Sequence, residues 1–172
     1  LPSSFFYLSL SNTVGGAIFH DGNLLPGDAF RCGEAGHMTL IPDGKPCYCG
    51  KTGCVDAYCS ARVLSDLSGG RLEDFFLGLQ QNNREYRPVW DTYLKHLAVV
   101  INNLHMILDY DIVLGGYVGS FLTPWLDTIR HLGSERNTFE DDGSFVKLCT
   151  YQTGAAAYGA AMDVMEGFLR TV

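Results

Sequence analysis

The spacing of apolar positions changes period several times along the chain, and each change predicts an element. Residues 5–11 alternate partially and are rich in aromatics, which predicts a strand, and residues 14–20 predict a second. Asp21-Gly22 suits a tight hairpin turn, and residues 23–25 begin a return strand, so the chain opens as an antiparallel meander. Residues 26–32 have no period and read as a link. Asp56 is placed to N-cap a helix over 57–67, with Gly69-Gly70 ending it. Over 72–81, Leu72, Phe75, Phe76 and Leu79 share one helical face. A long helix is predicted over 84–108. Trp90, Leu94, Leu97, Ile101, Leu104 and Leu108 recur there in alternating steps of four and three, and Val89, Tyr93, Val100 and Ile107 widen the stripe. Pro88 falls in its first turn, where a missing N–H costs nothing. Residues 111–114 form a short buried-type strand that ends in Gly115-Gly116. The helix beyond it carries Phe121, Leu122, Trp125, Leu126, Ile129 and Leu132 on one side. Residues 133–143 are a polar loop and 145–150 the next strand. Residues 154–169 are a helix whose Ala155, Ala156, Ala157, Gly159, Ala160 and Ala161 are suited to close packing on the sheet. Strands mixed with helices in this order predict an α/β fold: a mixed sheet, its first strands antiparallel, with helices packed on it.

Size and composition narrow the class. A chain of 172 residues supports one domain with its own core, and 47% hydrophobic against 18% charged residues describes a globular chain. The formal net charge of -7 argues against this stretch gripping a nucleic-acid backbone. Six cysteines are too sparse for a secreted disulfide scaffold. No apolar run reaches the ~18 residues of a membrane span, and no signal-peptide pattern is present. The expectation is a cytoplasmic protein with no membrane partner. The chain lacks a starting Met and enters a strand almost at once, which leads to the expectation of a fragment of a longer protein.

The chemistry concentrates in residues 33–60. His37, Cys47, Cys49 and Cys54 follow the spacing H-x9-C-x-C-x4-C, and one imidazole with three thiolates completes a tetrahedral Zn2+ shell of the structural type. Gly50 and Gly53 permit the tight turns that such a knuckle needs. The competing reading is scattered core cysteines or two disulfides. Glu34 precedes His37 by three residues and Asp56 follows Cys54 by two. A metal-pinned imidazole with a free N–H between two carboxylates suits sugar hydroxyls, although each acid alone also reads as a solvated loop residue. His96 and His105, on the long helix, have no ligand partner four residues on and read as packing or polar-face residues.

The strings E-A-G-H and C-Y-C-G-K-T-G-C-V-D resemble the zinc signature of the ROK family, the bacterial sugar kinases and sugar-responsive repressors. The resemblance implies structural zinc on His37, Cys47, Cys49 and Cys54, and sugar contacts from Glu34, His37 and Asp56, the last being one methylene shorter than the family's usual Glu. Ser11-Asn12-Thr13-Val14-Gly15-Gly16 resembles the family's G-T-G-V-G-G phosphate turn. Gly15 and Gly16 remain and the Thr13 hydroxyl can still donate, but the side chains at the first three positions count against efficient ATP use. The I-V-L-G-G string resembles the adenosine-side loop, making Gly115 and Gly116 nucleotide candidates; the other reading is that these glycines only permit a sharp turn.

The closing helix likewise resembles the family's G-A-A helix. The resemblance spans the chain but only the family's second half. It implies one domain over 1–172, the C-terminal lobe of an actin-like (ribonuclease-H-like) sugar kinase fold. The D-x-G-x-T phosphate loop, the base Asp and the helix-turn-helix of the family's N-terminal parts are not found here. The expected function is the sugar-sensing C-terminal domain of a ROK transcriptional regulator. The alternative is the C-terminal half of an ATP-dependent, glucokinase-like hexose kinase. The expected partners are a small sugar or amino sugar, DNA only through an N-terminal domain, and further copies in a homo-oligomer. ATP and Mg2+ enter only for a kinase, and no turnover is expected of this stretch alone.

Overall fold

Alternation puts Phe6, Leu8 and Leu10 of β1 (Phe5–Leu10) on one buried face, and this strand organises the sheet. The computed structural model describes residues 2–169. β1 pairs antiparallel with β2 (Val14–His20), which pairs antiparallel with the short edge strand β3 (Asn23–Leu25). On its other side β1 pairs in parallel with β4 (Asp111–Gly115), with Leu8 opposite Leu114 and Ser9 opposite Gly115, and β4 pairs in parallel with β5 (Val146–Leu148). The order is β3-β2-β1-β4-β5. Ile112, Val113 and Leu114 are all buried, as a central parallel strand covered on both faces requires.

The helices are α1 (Asp56–Cys59), α2 (Arg62–Ser65), α3 (Leu72–Gln80), α4 (Tyr86–Leu108), α5 (Gly116–Gly119), α6 (Leu126–Ser134) and α7 (Ala155–Leu169). The predicted stripe of α4 is the core: Trp90, Leu94, Leu97, Ile101 and Leu104 are buried with Phe6, Leu8 and Leu114. Phe75 and Phe76 of α3 join Trp90 in an aromatic cluster, as expected of core rings. Among the described residues, no helix is long and apolar enough to cross a membrane.

The structure departs from the expected pattern at five points. The helix expected over 57–67 breaks at Ser60, whose backbone is extended. The Ala61 N–H donates instead to the Ser11 carbonyl (2.7 Å), and the Cys59 carbonyl accepts from the buried Tyr93 hydroxyl (2.7 Å). Asp56 is not an N-cap; it is the first residue of α1 and its carboxylate is spent elsewhere. The helix after β4 is interrupted by a 3-10 turn containing Pro124, which has no N–H to give. Ile107 does not extend the buried stripe and is 78% exposed. In α7, Ala157, Gly159, Ala160 and Ala161 are exposed rather than laid against the sheet; small residues permit close approach but carry little apolar area to drive it. The side chain of Ala156 lies outside the described residues.

Candidate metal centre and carbohydrate site

Two glycines bring the E-A-G-H segment onto the sheet. A Cβ at Gly33 would collide with the Gly16 carbonyl, and one at Gly36 with the Val14 carbonyl, so backbone lies directly on backbone along β2. The 3-10 turn Ala35–His37 forms there and aims His37 at the cysteine loop. That loop is folded by its own backbone bonds: Cys47 N–H donates to the Lys51 carbonyl (2.8 Å), and Gly50 N–H to that of Cys47 (3.0 Å).

His37, Cys47, Cys49 and Cys54 each present one ligand atom, all within 4.8 Å of one another. A tetrahedron with Zn–S of about 2.3 Å places sulfurs about 3.8 Å apart. The Cys49 and Cys54 sulfurs are 3.7 Å apart, a ligand spacing and not a disulfide, and every cysteine is unpaired. Burial pushes the Cys54 thiol up to about 11, with the neighbouring sulfurs adding to it. Cys49 is shifted down, chiefly by the backbone N–H of Lys51. A divalent cation at the centre of this cluster would take the sulfurs as thiolates and the imidazole as a neutral donor. The donor set therefore fits a structural metal ion.

Around this centre the sequence-predicted acids take different positions. Glu34 is exposed and its carboxylate makes no hydrogen bond among the described residues. Asp56 is buried, and its Oδ1 accepts a 2.6 Å bond from the Val14 N–H. Tyr48, between two of the cysteines, was not singled out by its sequence context. Its hydroxyl lies 3.2 Å from His37 Nε2, with the two rings edge to face at 5.4 Å. Desolvation first, then Asp56, Cys47, Glu34 and Cys49, push the Tyr48 phenol upward. The Tyr48 hydroxyl is thus an exposed polar group at the metal loop, in contact with His37. A surface aromatic inside C-x-C was the only signal for it.

The nucleotide candidates meet at the C-terminal ends of β1 and β4. A Cβ at Gly116 (φ +78°) would lie 2.6 Å from Ser11 Oγ, and Tyr117 N–H donates to that oxygen at 3.4 Å. Gly115 packs on the Tyr7 phenol and Gly16 on the Phe6 ring, so both have structural reasons to be glycine. Gly15 faces open space, and Thr13 is exposed. Beside them, Asn12, Ser65, Tyr117, Ser120 and Thr153 line an open cleft of about 280 Å3.

The ROK family model matches residues 2–166. The chain belongs to the ROK family. It is 30% identical over 163 residues to an N-acetylmannosamine kinase of Escherichia coli, covering 91% of this chain and 55% of that one. The chain thus spans about half the length of the curated relatives it matches. Its fold matches a ROK glucokinase of Streptomyces griseus in complex with glucose and AMPPNP (TM-score 0.77, 21% identity, 92% of this chain and 59% of that one). It also matches a ROK transcriptional regulator homologous to the E. coli MLC protein (TM-score 0.69, 21% identity, 86% and 41%). The mixed sheet with packed helices is therefore the fold of the ROK sugar-kinase group, which includes kinases and regulators alike.

Proposed function

We propose that this chain is the C-terminal, sugar-sensing lobe of a ROK transcriptional regulator. Zn2+ would be held by His37, Cys47, Cys49 and Cys54 as a structural ion. The observation that carries the sugar reading is the position of Glu34 and Asp56 on the two flanks of the metal loop that holds the His37–Tyr48 pair. It joins an unpaired carboxylate, a second carboxylate fixed by a backbone N–H, and a ring oriented by the metal and a phenol. Such a set of acceptors and donors on rigid supports matches the vicinal hydroxyls of a hexose or an N-acetylhexosamine. The regulator reading is supported by the turn at residues 11–16. Ser11 and Thr13 carry side chains where the family's phosphate turn has glycine, and Gly16 serves the core. DNA contact and self-association would belong to the full-length protein.

A second reading, the C-terminal half of an ATP-dependent sugar kinase, is favoured by the open cleft beside Gly115-Gly116 and by the similarity to an N-acetylmannosamine kinase. ATP with Mg2+ would then lie against residues 11–16 and Gly115-Gly116.

Calorimetry on the full-length protein with glucose, N-acetylglucosamine and N-acetylmannosamine tests the sugar site. Glu34→Ala should weaken binding of whichever sugar binds and leave the melting temperature in place. Undiminished sugar affinity in that variant removes Glu34 from the site. An ADP-release assay with the same sugars separates the readings, since steady turnover contradicts the regulator.

A further inference from the structure

A second cleft, of about 320 Å3, opens between the metal loop and α4. That volume is at the lower end of small-molecule sites. Its apolar wall is Val63, Pro88 and Val89, and its polar wall is Lys45, Tyr58 and His96. The polar wall is built rather than incidental. The Lys45 N–H donates to Tyr58 Oη at 2.6 Å, which anchors the lysine at its root. Its ammonium sits 5.2 Å above the centre of the Tyr58 ring. That ring in turn meets the His96 imidazole edge to face at 5.0 Å.

The other polar groups of the cleft are already engaged. The Thr92 hydroxyl donates to the Pro88 carbonyl (2.9 Å), and the Tyr93 hydroxyl to that of Cys59 (2.7 Å). Lys45 and His96 remain, and neither forms an ion pair among the described residues. No carboxylate lines the cleft, although the chain has 19 acids against 12 lysines and arginines. Burial first, and then the Lys45 charge, shift His96 downward, so at neutral pH Lys45 is the charged group of this wall and His96 a neutral hydrogen-bonding partner beside it.

We propose that this cleft is a binding site for a small organic anion, with a flat or branched apolar body against Val63 and Val89 and its acidic head between Lys45 and His96. The site is separate from the proposed sugar site and does not depend on that reading. Lys45 stands two residues before Cys47, and Tyr58 two after Asp56. An occupant therefore clamps both flanks of the metal loop to α4, which makes the cleft a place from which that loop can be stiffened.

The test titrates the zinc-loaded chain with three probes, followed by NMR chemical shifts: benzoate, its neutral isostere benzamide, and inorganic phosphate. Benzoate should bind saturably, shifting the Lys45, Tyr58 and His96 resonances. Benzamide and phosphate should each bind more weakly, since one lacks the charge and the other the apolar body. Lys45→Met should weaken benzoate by about tenfold, the loss of one charge-assisted hydrogen bond. Thr92→Glu, an exposed substitution that brings a carboxylate to the rim, should abolish binding, and Lys51→Met on the far part of the loop should change nothing. Non-saturable shifts, equal binding of either comparison probe, or full affinity in Lys45→Met overturns the proposal.

Discussion

The sharpest expectation concerns Asp56, the residue whose role differs most from its sequence context. Its Oδ1 accepts from the Val14 N–H at 2.6 Å, and both residues are almost fully buried, at 6% and 3% exposure. A buried bond to an ionised group is worth roughly 1.5–3 kcal/mol, and its loss strands a donor with no access to water. Asp56→Ala removes the acceptor and leaves Val14 N–H stranded at the start of β2. In a chain of this length each kcal/mol moves the melting temperature by about 2–4 °C, so a fall of about 3–12 °C is expected. Asp56→Asn keeps an oxygen that can accept but loses the charge, and should fall by about half as much. Thermal melts followed by circular dichroism on the three proteins measure this directly. An Asp56→Ala protein that melts within about 1 °C of wild type shows that the bond does not hold the turn to the metal loop. The physical account of Asp56 then fails, whatever happens to sugar affinity.

Three further expectations follow from the same geometry. Metal analysis should find one zinc per chain, and Cys54→Ser should remove cooperative unfolding, because such shells contribute on the order of 10 kcal/mol; a metal-free variant melting like wild type contradicts this. Gly36→Ala should destabilise by about 1–3 kcal/mol or more, since its Cβ would enter the Val14 carbonyl, and unchanged urea midpoints would refute the backbone-on-backbone contact. His96 titrates below its ordinary value of 6.5 because of burial and then Lys45, so the folded chain holds fewer protons than the unfolded one in the window below about 6.5. Stability should therefore drop as pH falls through that window. His96→Gln should flatten the slope there, and an identical slope would remove His96 as its source.

The clustering of four side chains that could hold a metal was legible because its signal is local. The three cysteines lie within one loop and His37 in the turn just before it, and tight spacing with glycine turns leaves few arrangements but convergence. α4 was legible for a related reason: a helix stripe is a property of period, and Trp90 to Leu104 kept it. Tyr48, Ser60 and α7 were not. The break at Ser60 depends on the Ser11 carbonyl, just past the end of β1, and a phenol from α4, both remote in sequence. The exposure of α7 depends on what is available to cover it, which no helix periodicity encodes.

The residues alone determined most element types, the family and the four-residue group that could hold a metal, because these rest on local patterns in the chain. Only the tertiary structure decided what the polar groups do. It took Asp56 from helix capping to a bond with Val14, and it set Gly36 against the Val14 carbonyl. It also brought Lys45, Tyr58 and His96 to one wall. A hydrogen bond or a charge is settled by which partners fold within about 3 Å, and those partners came from strands and helices tens of residues away.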